Sequence, residues 1–171
     1  MTVLNILTYP DKFLAQPTVP VQEVTEELKQ LIEDMADTMY KAPGIGLAAN
    51  QVGSDKRFLI ADPLGDPEKR EFKVFINPEI VKMTGEVISE EEGCLSVPDF
   101  RADVKRAEKI IINYTDLDMN SFTLEAEGML AIILQHEIDH LNGILFIDRL
   151  SALKKQLYKR KVKKQMKFED D

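Results

Sequence analysis

The sequence predicts an α+β fold: antiparallel β-sheets packed around one central helix, with an amphipathic helix before them and a basic helix after them. Three observations carry this expectation. The stretch "VTEELKQLIEDMADTMYK" has a helical apolar period, the middle of the chain is a series of short β-branched runs separated by turn residues, and "MLAIILQHEIDHLNG" is apolar on nearly every side.

In the first stretch, Leu28, Leu31, Ile32, Met35 and Met39 share one face of a helix predicted over 25–41. Thr25 is its N-cap, and Glu26 and Glu27 sit in the first turn, where the helix dipole favours anions. "APGIGLAANQVG" then breaks the helix with Pro43 and Gly44. It reads as an irregular segment whose glycines let the backbone approach a ligand, with the Gln51 amide at its end. Gly44, Gly46 and Ala49 match G-x-G-x-x-A, but the match follows a helix and not a strand, which argues against a dinucleotide-binding turn. "KRFLIA", "KVFIN", "EIVKMTGEVISEE", "EKIIINYTD" and "FTLEAE" read as strands. The buried helix follows Gly128 and stops at Asn142-Gly143. "LSALKKQLYKRKVKKQMKF" is the last helix, with Leu153, Leu157, Val162 and Met166 as a sparse apolar stripe among the cations.

Composition bounds the class. A chain of 171 residues with 44% hydrophobic and 30% charged side chains is an ordinary soluble globular domain. Its one cysteine forms no internal disulfide, and neither a secretory leader nor a membrane-length apolar run is visible, so a cytoplasmic, reducing compartment is expected. The net charge of −8 is uneven. Residues 149–168 hold nine Lys or Arg and no Asp or Glu, whereas residues 1–148 carry 13 cations and 27 anions, a net −14. An acidic body with a basic arm points to two jobs in two places.

The chemistry concentrates in "QHEIDH". His136 and His140 lie one helical turn apart on one face, a spacing that lets both imidazoles reach a single ion, and Glu137 sits beside them to take a proton from water. The competing reading, a pair of satisfied core histidines, is weak because the chain has only two histidines and both fall in this pattern. The third ligand of many such sites lies downstream, yet the position six residues on is Phe146 and the only nearby acid is Asp148. Upstream, Cys94 follows Gly93 in "SEEEGCLSVP", a polar, turn-containing setting that suits a ligand better than a core filler. Gly93 is expected to bring the backbone close to the ion.

With "GIGLAANQ", "EGCLS" and "HEIDH" in this order, the chain resembles the bacterial-type peptide deformylases from about Leu4 to Leu150. These are metal-dependent hydrolases, acting on linear amides, that remove the formyl group from the N-formylmethionine of nascent polypeptides. The resemblance implies that Cys94, His136 and His140 hold the metal, that Glu137 is the acid/base, and that Gln51 and the backbone N–H of Leu95 bind the developing oxyanion. It implies an apolar pocket of Ile45, Met129, Ile132 and Ile133 for the methionine side chain, with Gly46, Gly93 and Arg101 near the peptide backbone. The pocket would select formyl over acetyl by leaving no room for a methyl group. Fe(II) is the implied metal, with Zn(II), Ni(II) or Co(II) as substitutes, since a Cys/His set does not discriminate among them.

The expected organisation is a deformylase domain over 1–150 and a basic C-terminal helix with an acidic end over 151–171, both parts of a single domain. The expected partners are formylmethionyl peptides and, through the basic helix, ribosomal RNA; no membrane is involved, and the protein is a monomer. One departure from relatives is Leu14-Ala15, where many carry a basic residue. Two other readings compete: an H-E-x-x-H metallopeptidase, disfavoured by the missing downstream ligand, and a non-catalytic metal-stabilised RNA-binding module, which would want a fourth protein ligand.

Overall fold

The structure, a computed structural model, describes residues 1–169; Asp170 and Asp171, part of the expected acidic end, lie outside the described residues. Helix α1 spans Glu26–Lys41, and the Thr25 hydroxyl accepts from the Leu28 N–H as expected of its cap. Leu28, Ile32, Met35 and Met39 are buried and Leu31 is half-buried, so the predicted face is the packed one.

Seven strands follow. β1 (Gly46–Ala48), β2 (Phe58–Ala61), β3 (Lys73–Thr84), β6 (Lys109–Thr115) and β7 (Ser121–Glu127) form a five-stranded antiparallel sheet in the order β1-β2-β3-β6-β7, while β4 (Val87–Cys94) and β5 (Val97–Arg106) form a separate hairpin sheet. The segment read as irregular is corrected here. Gly46–Ala48 pairs with β2, Gly46 opposite Ala61 and Ala48 opposite Leu59, before a 3₁₀ turn over Ala49–Val52. Three residues are too few to show a period of two. "KVFIN" and "EIVKMT" join into one strand through an irregularity at Asn77, whose φ is 51° and whose side chain bonds both the N–H and the carbonyl of Val21. β5 has no counterpart among the predicted strands, because "VPDFRADVKR" is dominated by charge and holds a proline.

The large sheet is covered on both faces at its β1–β2 end. Along β2, Phe58 and Ile60 point to the side of α1, and Leu59 and Ala61 point to the side of α2 (Gly128–Leu141). All four are buried, which is why "FLIA" reads as a continuous apolar run and not as an alternation. Each such large side chain contributes roughly 1.5–3 kcal/mol. α2 stops at Gly143, whose φ is 79° and where a Cβ would lie 2.6 Å from the Ala15 carbonyl oxygen, so both conformation and space call for glycine.

A third cluster backs the β4–β5 hairpin. Leu14, Val97, Val104, Phe146 and Ile147 meet Tyr158 and Val162 of α3 (Ala152–Glu169). This corrects the expected stripe on the basic helix: Leu153, Leu157 and Met166 face solvent, and Tyr158 and Val162 face the core. The sequence pattern misleads because tyrosine carries the main contact and only one of the four expected aliphatics joins it. Among the described residues no helix is long and apolar enough to cross a membrane. If α3 docks through Tyr158, Tyr158→Ala should lower the unfolding free energy by about 3 kcal/mol, as other aromatic truncations in cores do. Leu157→Ala should stay within about 0.5 kcal/mol. Urea denaturation of both variants checks this.

Candidate active site

Three elements converge on one point. α2 supplies His136, Glu137 and His140, all buried; β4 ends in Cys94; and the 3₁₀ turn after β1 supplies Gln51. The Cys94 sulfur lies 3.1 Å from His140 Nε2, and the ligand atoms of Cys94, His136 and His140 are all within 4.8 Å of one another. Burial, and then the neighbouring His136, lower the His140 pKa well below its ordinary value, which keeps the ring neutral and its lone pair available. Two imidazole nitrogens and a sulfur at these separations suit a divalent transition metal, so the residues fit the ion the sequence implies.

The His136 ring is oriented by a neighbour, whereas the Nδ1 of the His140 ring has no hydrogen-bond partner among the described residues. His136 turns its Nδ1 to Glu92 Oε1 at 2.6 Å, leaving Nε2 toward Cys94 and His140. The His140 carbonyl accepts from the Asn50 amide at 2.5 Å, and the Ser96 N–H donates to the Cys94 sulfur at 3.4 Å. Gln51 is held at both ends, its Oε1 accepting from the Ala48 N–H at 2.9 Å and its Nε2 donating to Ser96 Oγ at 3.0 Å, 3.8 Å from the Cys94 sulfur.

Glu137 is also left partly unpaired. Burial lifts its carboxyl to about 7, and its Oε2 has no hydrogen-bond partner among the described residues. Glu92 goes the other way. Burial alone would raise it, but the hydrogen bonds from His136 and Arg106 outweigh that and hold it down to about 2.

These groups lie at the floor of a cleft of about 790 Å³. Its lining brings together every residue expected of a substrate site: Ile45, Gly46, Gly93, Arg101, Met129, Ile132 and Ile133, with Gln51, Cys94, Leu95, His136 and Glu137; His140 sits behind. Ile45 and Met129 form an exposed rim, and Ile133 is buried in the floor. Gly93 differs from the expectation: a Cβ there would sit 3.2 Å from the Arg101 guanidinium, so its bareness makes room for Arg101 and not for an ion. The sequence reading gave no role to Glu92, Arg106 or Asp139. Two of them stand inside quoted motifs, Glu92 in "EGCLS" and Asp139 in "HEIDH", and that was the available signal.

Paired histidines and a cysteine beside an unpartnered buried glutamate, under an apolar cleft on an α+β frame, define a metal-dependent hydrolase. Sequence and fold comparisons narrow the class. The chain belongs to the polypeptide deformylase family, whose sequence profile matches residues 3–156. A peptide deformylase of Desulfosudis oleivorans is 53% identical over 167 residues, covering 98% of this chain and 96% of that protein. One of Rhizobium meliloti is 46% identical over 98% of this chain and 96% of its own length. The crystal structure of a peptide deformylase from Legionella pneumophila superposes with a TM-score of 0.89 at 46% identity, covering 99% of this chain and 98% of that one. A second, from Ehrlichia chaffeensis in complex with actinonin, gives 0.86 at 40% identity, over 96% and 98%. The chain is therefore an enzyme of protein biosynthesis that removes the formyl group from an N-terminal formylmethionine, and the metallopeptidase and RNA-module readings fall away.

Gly46 tests the floor of the cleft. A Cβ there would lie 2.9 Å from Ile133 Cγ2 and 3.1 Å from Glu137 Cγ, so Gly46→Ala must displace one of them. It should lower kcat/KM for a formylmethionyl peptide on the order of 10²-fold. Gly53→Ala, where a Cβ meets nothing within 4 Å, should lose only about 1–2 kcal/mol of stability to its positive φ and leave kcat/KM unchanged.

Proposed function

We propose that Cys94, His136 and His140 hold one divalent ion, that Glu137 moves the proton, and that Gln51 Nε2 and the backbone N–H of Leu95 meet the charge developing on the formyl oxygen. The observation that carries this reading is the unpartnered, buried Oε2 of Glu137 beside three converging metal donors. When bound, the ion supplies a lowered pKa for water and polarisation of the formyl oxygen. Fe(II) is our assignment, by family resemblance, with Zn(II), Ni(II) or Co(II) as substitutes.

The chain's own groups do the rest. The methionine side chain enters between Ile45, Met129, Ile132 and Ile133, while Arg101 and the backbone at Gly46 and Gly93 take the peptide main chain. The water oxygen bonds to the formyl carbon as Glu137 takes one of its protons. A carboxyl at about 7 can hold that proton and release it near neutrality. Gln51, fixed by Ala48 and Ser96, offers the oxyanion the N–H that otherwise makes a long contact of 3.8 Å with the Cys94 sulfur. The C–N bond then breaks, Glu137 returns the proton to the leaving amine, and formate and a free N-terminus depart.

We place the enzyme in the cytoplasm as a monomer and take residues 1–150 and 151–171 as one unit, supported by the burial of Tyr158 and Val162. The outer face of α3 is the proposed ribosome contact. Lys159, Arg160, Lys163 and Lys164 are exposed there, on an arm whose charge opposes that of the body.

Cys94→Ser, His136→Ala and His140→Ala should each lose metal and activity, whereas Glu137→Gln should keep metal and lose about 10²–10⁴-fold in kcat. Gln51→Ala should raise the barrier by about 2.7–4 kcal/mol. Metal analysis and formate release separate these outcomes, and a Cys94→Ser enzyme with full metal and normal turnover would refute the ligand set. For the arm, changing Lys159, Arg160, Lys163 and Lys164 to Gln should leave peptide hydrolysis intact and abolish salt-sensitive co-sedimentation with ribosomes. This is a cleaner test than truncation, which would remove Tyr158 from the core.

A further inference from the structure

Behind the metal-binding residues runs a string of charges that the reaction itself does not use, buried at Glu92, Arg106 and Asp139 and exposed at Arg149. Arg106, at the end of β5, is 5% exposed. Its Nε donates to Glu92 Oε2 at 3.2 Å and one terminal nitrogen donates to Glu92 Oε1 at 2.5 Å, a two-point grip on one carboxylate. Its other terminal nitrogen donates to Asp139 Oδ2 at 2.8 Å. Arg149 completes the string, donating to Asp139 Oδ2 at 3.1 Å and Oδ1 at 2.7 Å. Two guanidinium groups thus face two carboxylates, and the string is neutral without any charge on His136.

The grip has a geometric consequence. A carboxylate held at one oxygen can rotate; one held along both by a planar fork cannot. The oxygen that Arg106 fixes, Glu92 Oε1, is the one 2.6 Å from His136 Nδ1. The direction of the Nε2 lone pair is therefore set from two residues away. The bulge in β4 shows the fold arranged around this contact. Register shifts between Ser89 and Glu92, and Glu91 adopts a φ of 51°, so Ser89 and Glu92 both point inward although they are three residues apart.

We propose that Arg106 is a positioning residue for His136, acting through Glu92, and that its contribution is retention of the metal ion. The proposal rests on His136 being a ligand. Arg149 has the supporting task of satisfying Asp139, so that Arg106 is not drawn off Glu92.

The test is metal transfer from the purified, Zn(II)-loaded enzyme to a chromophoric chelator, well below the unfolding transition, for Arg106→Met, Arg106→Lys, Glu92→Gln, the double variant Glu92→Gln/Arg106→Met, and His136→Ala. Outer partners of metal-bound histidines are typically worth about 10–100-fold in affinity. Arg106→Met should release metal faster by that factor and match Glu92→Gln. Arg106→Lys, which keeps the charge without the fork, should fall between Arg106→Met and the unaltered enzyme. The double variant should release no faster than Glu92→Gln alone, because the arginine acts only through the glutamate.

A merely structural arginine would lower the unfolding free energy without changing release from the folded protein. A folded Arg106→Met with unaltered release overturns the proposal. If Arg106→Met alone does not fold, the double variant, which lacks both opposed charges, decides: release equal to Glu92→Gln supports the proposal, and release tenfold faster overturns it. His136→Ala keeps the two readings apart. Full metal retention there would sink the ligand assignment, whereas metal loss there with unaltered release in Arg106→Met would sink the positioning role alone.

Discussion

The rest of this fold depends on a helix that places polar groups where they cannot reach water. Gln135, His136, Glu137, Asp139 and His140 follow one another on α2 with only Ile138 between them, and all are buried. Buried polar groups left unpaired cost on the order of 1–3 kcal/mol each, more when charged. The surrounding elements supply the partners. The Ala107 backbone takes both ends of the Gln135 amide, β4 bulges to bring Glu92 inward, β5 ends on Arg106, and the turn after β1 sends Asn50 to the His140 carbonyl. Among the described residues three buried atoms are left out of this pairing, Asn50 Oδ1, His140 Nδ1 and Glu137 Oε2, and of these residues Glu137 lines the cleft.

The layering follows from the same demand. A helix so polar in one stretch and so apolar in the rest needs cover on several sides. The large sheet gives it one face, with Leu59, Ala61, Phe75, Ile110 and Ile112 against Ile133, Leu134 and Leu141. Over β1 and β2 the opposite face of that sheet is closed by α1, which makes that end of the sheet a stiff wall and not a solvated surface. The β4–β5 hairpin approaches from the other side of the helix and carries the sulfur. The candidate catalytic groups therefore sit on a buried helix, at a strand end and in short turns fixed by hydrogen bonds, which suits a reaction that needs its donors fixed before substrate arrives.

Much of this could be read from the residues. The two-histidine turn with its glutamate, the lone cysteine in a polar stretch, and the apolar period of α1 each have one dominant physical explanation, and each stands where that explanation puts it. What escaped reading had specific causes. β1 is too short for its alternation to show, and β5 reads as loop because Asp99 and Arg101 line a cleft and Arg106 makes buried ion pairs. Arg106 resembles any basic strand end until its burial is known, since nothing local distinguishes a solvated arginine from one gripping a carboxylate 14 residues earlier. On α3 the pattern misled because its outer face carries Leu153 and Leu157, while the core is touched by a tyrosine that hydropathy ranks low.

The docking of α3 also bears on how the molecule is made. The cluster behind the hairpin joins Leu14, near one end of the chain, to Tyr158 and Val162, near the other, with Val97 and Val104 between. Such contacts close a very long loop, and contacts of that kind form late. On a translating ribosome the order is stricter, because Tyr158 and Val162 are joined after every other member of the cluster. The two layers around the large sheet can assemble from what has already emerged, but the hairpin bearing Cys94 lacks its backing until α3 follows. Packing of the β4–β5 hairpin is thus timed by the arrival of α3 and not by the arrival of its own residues.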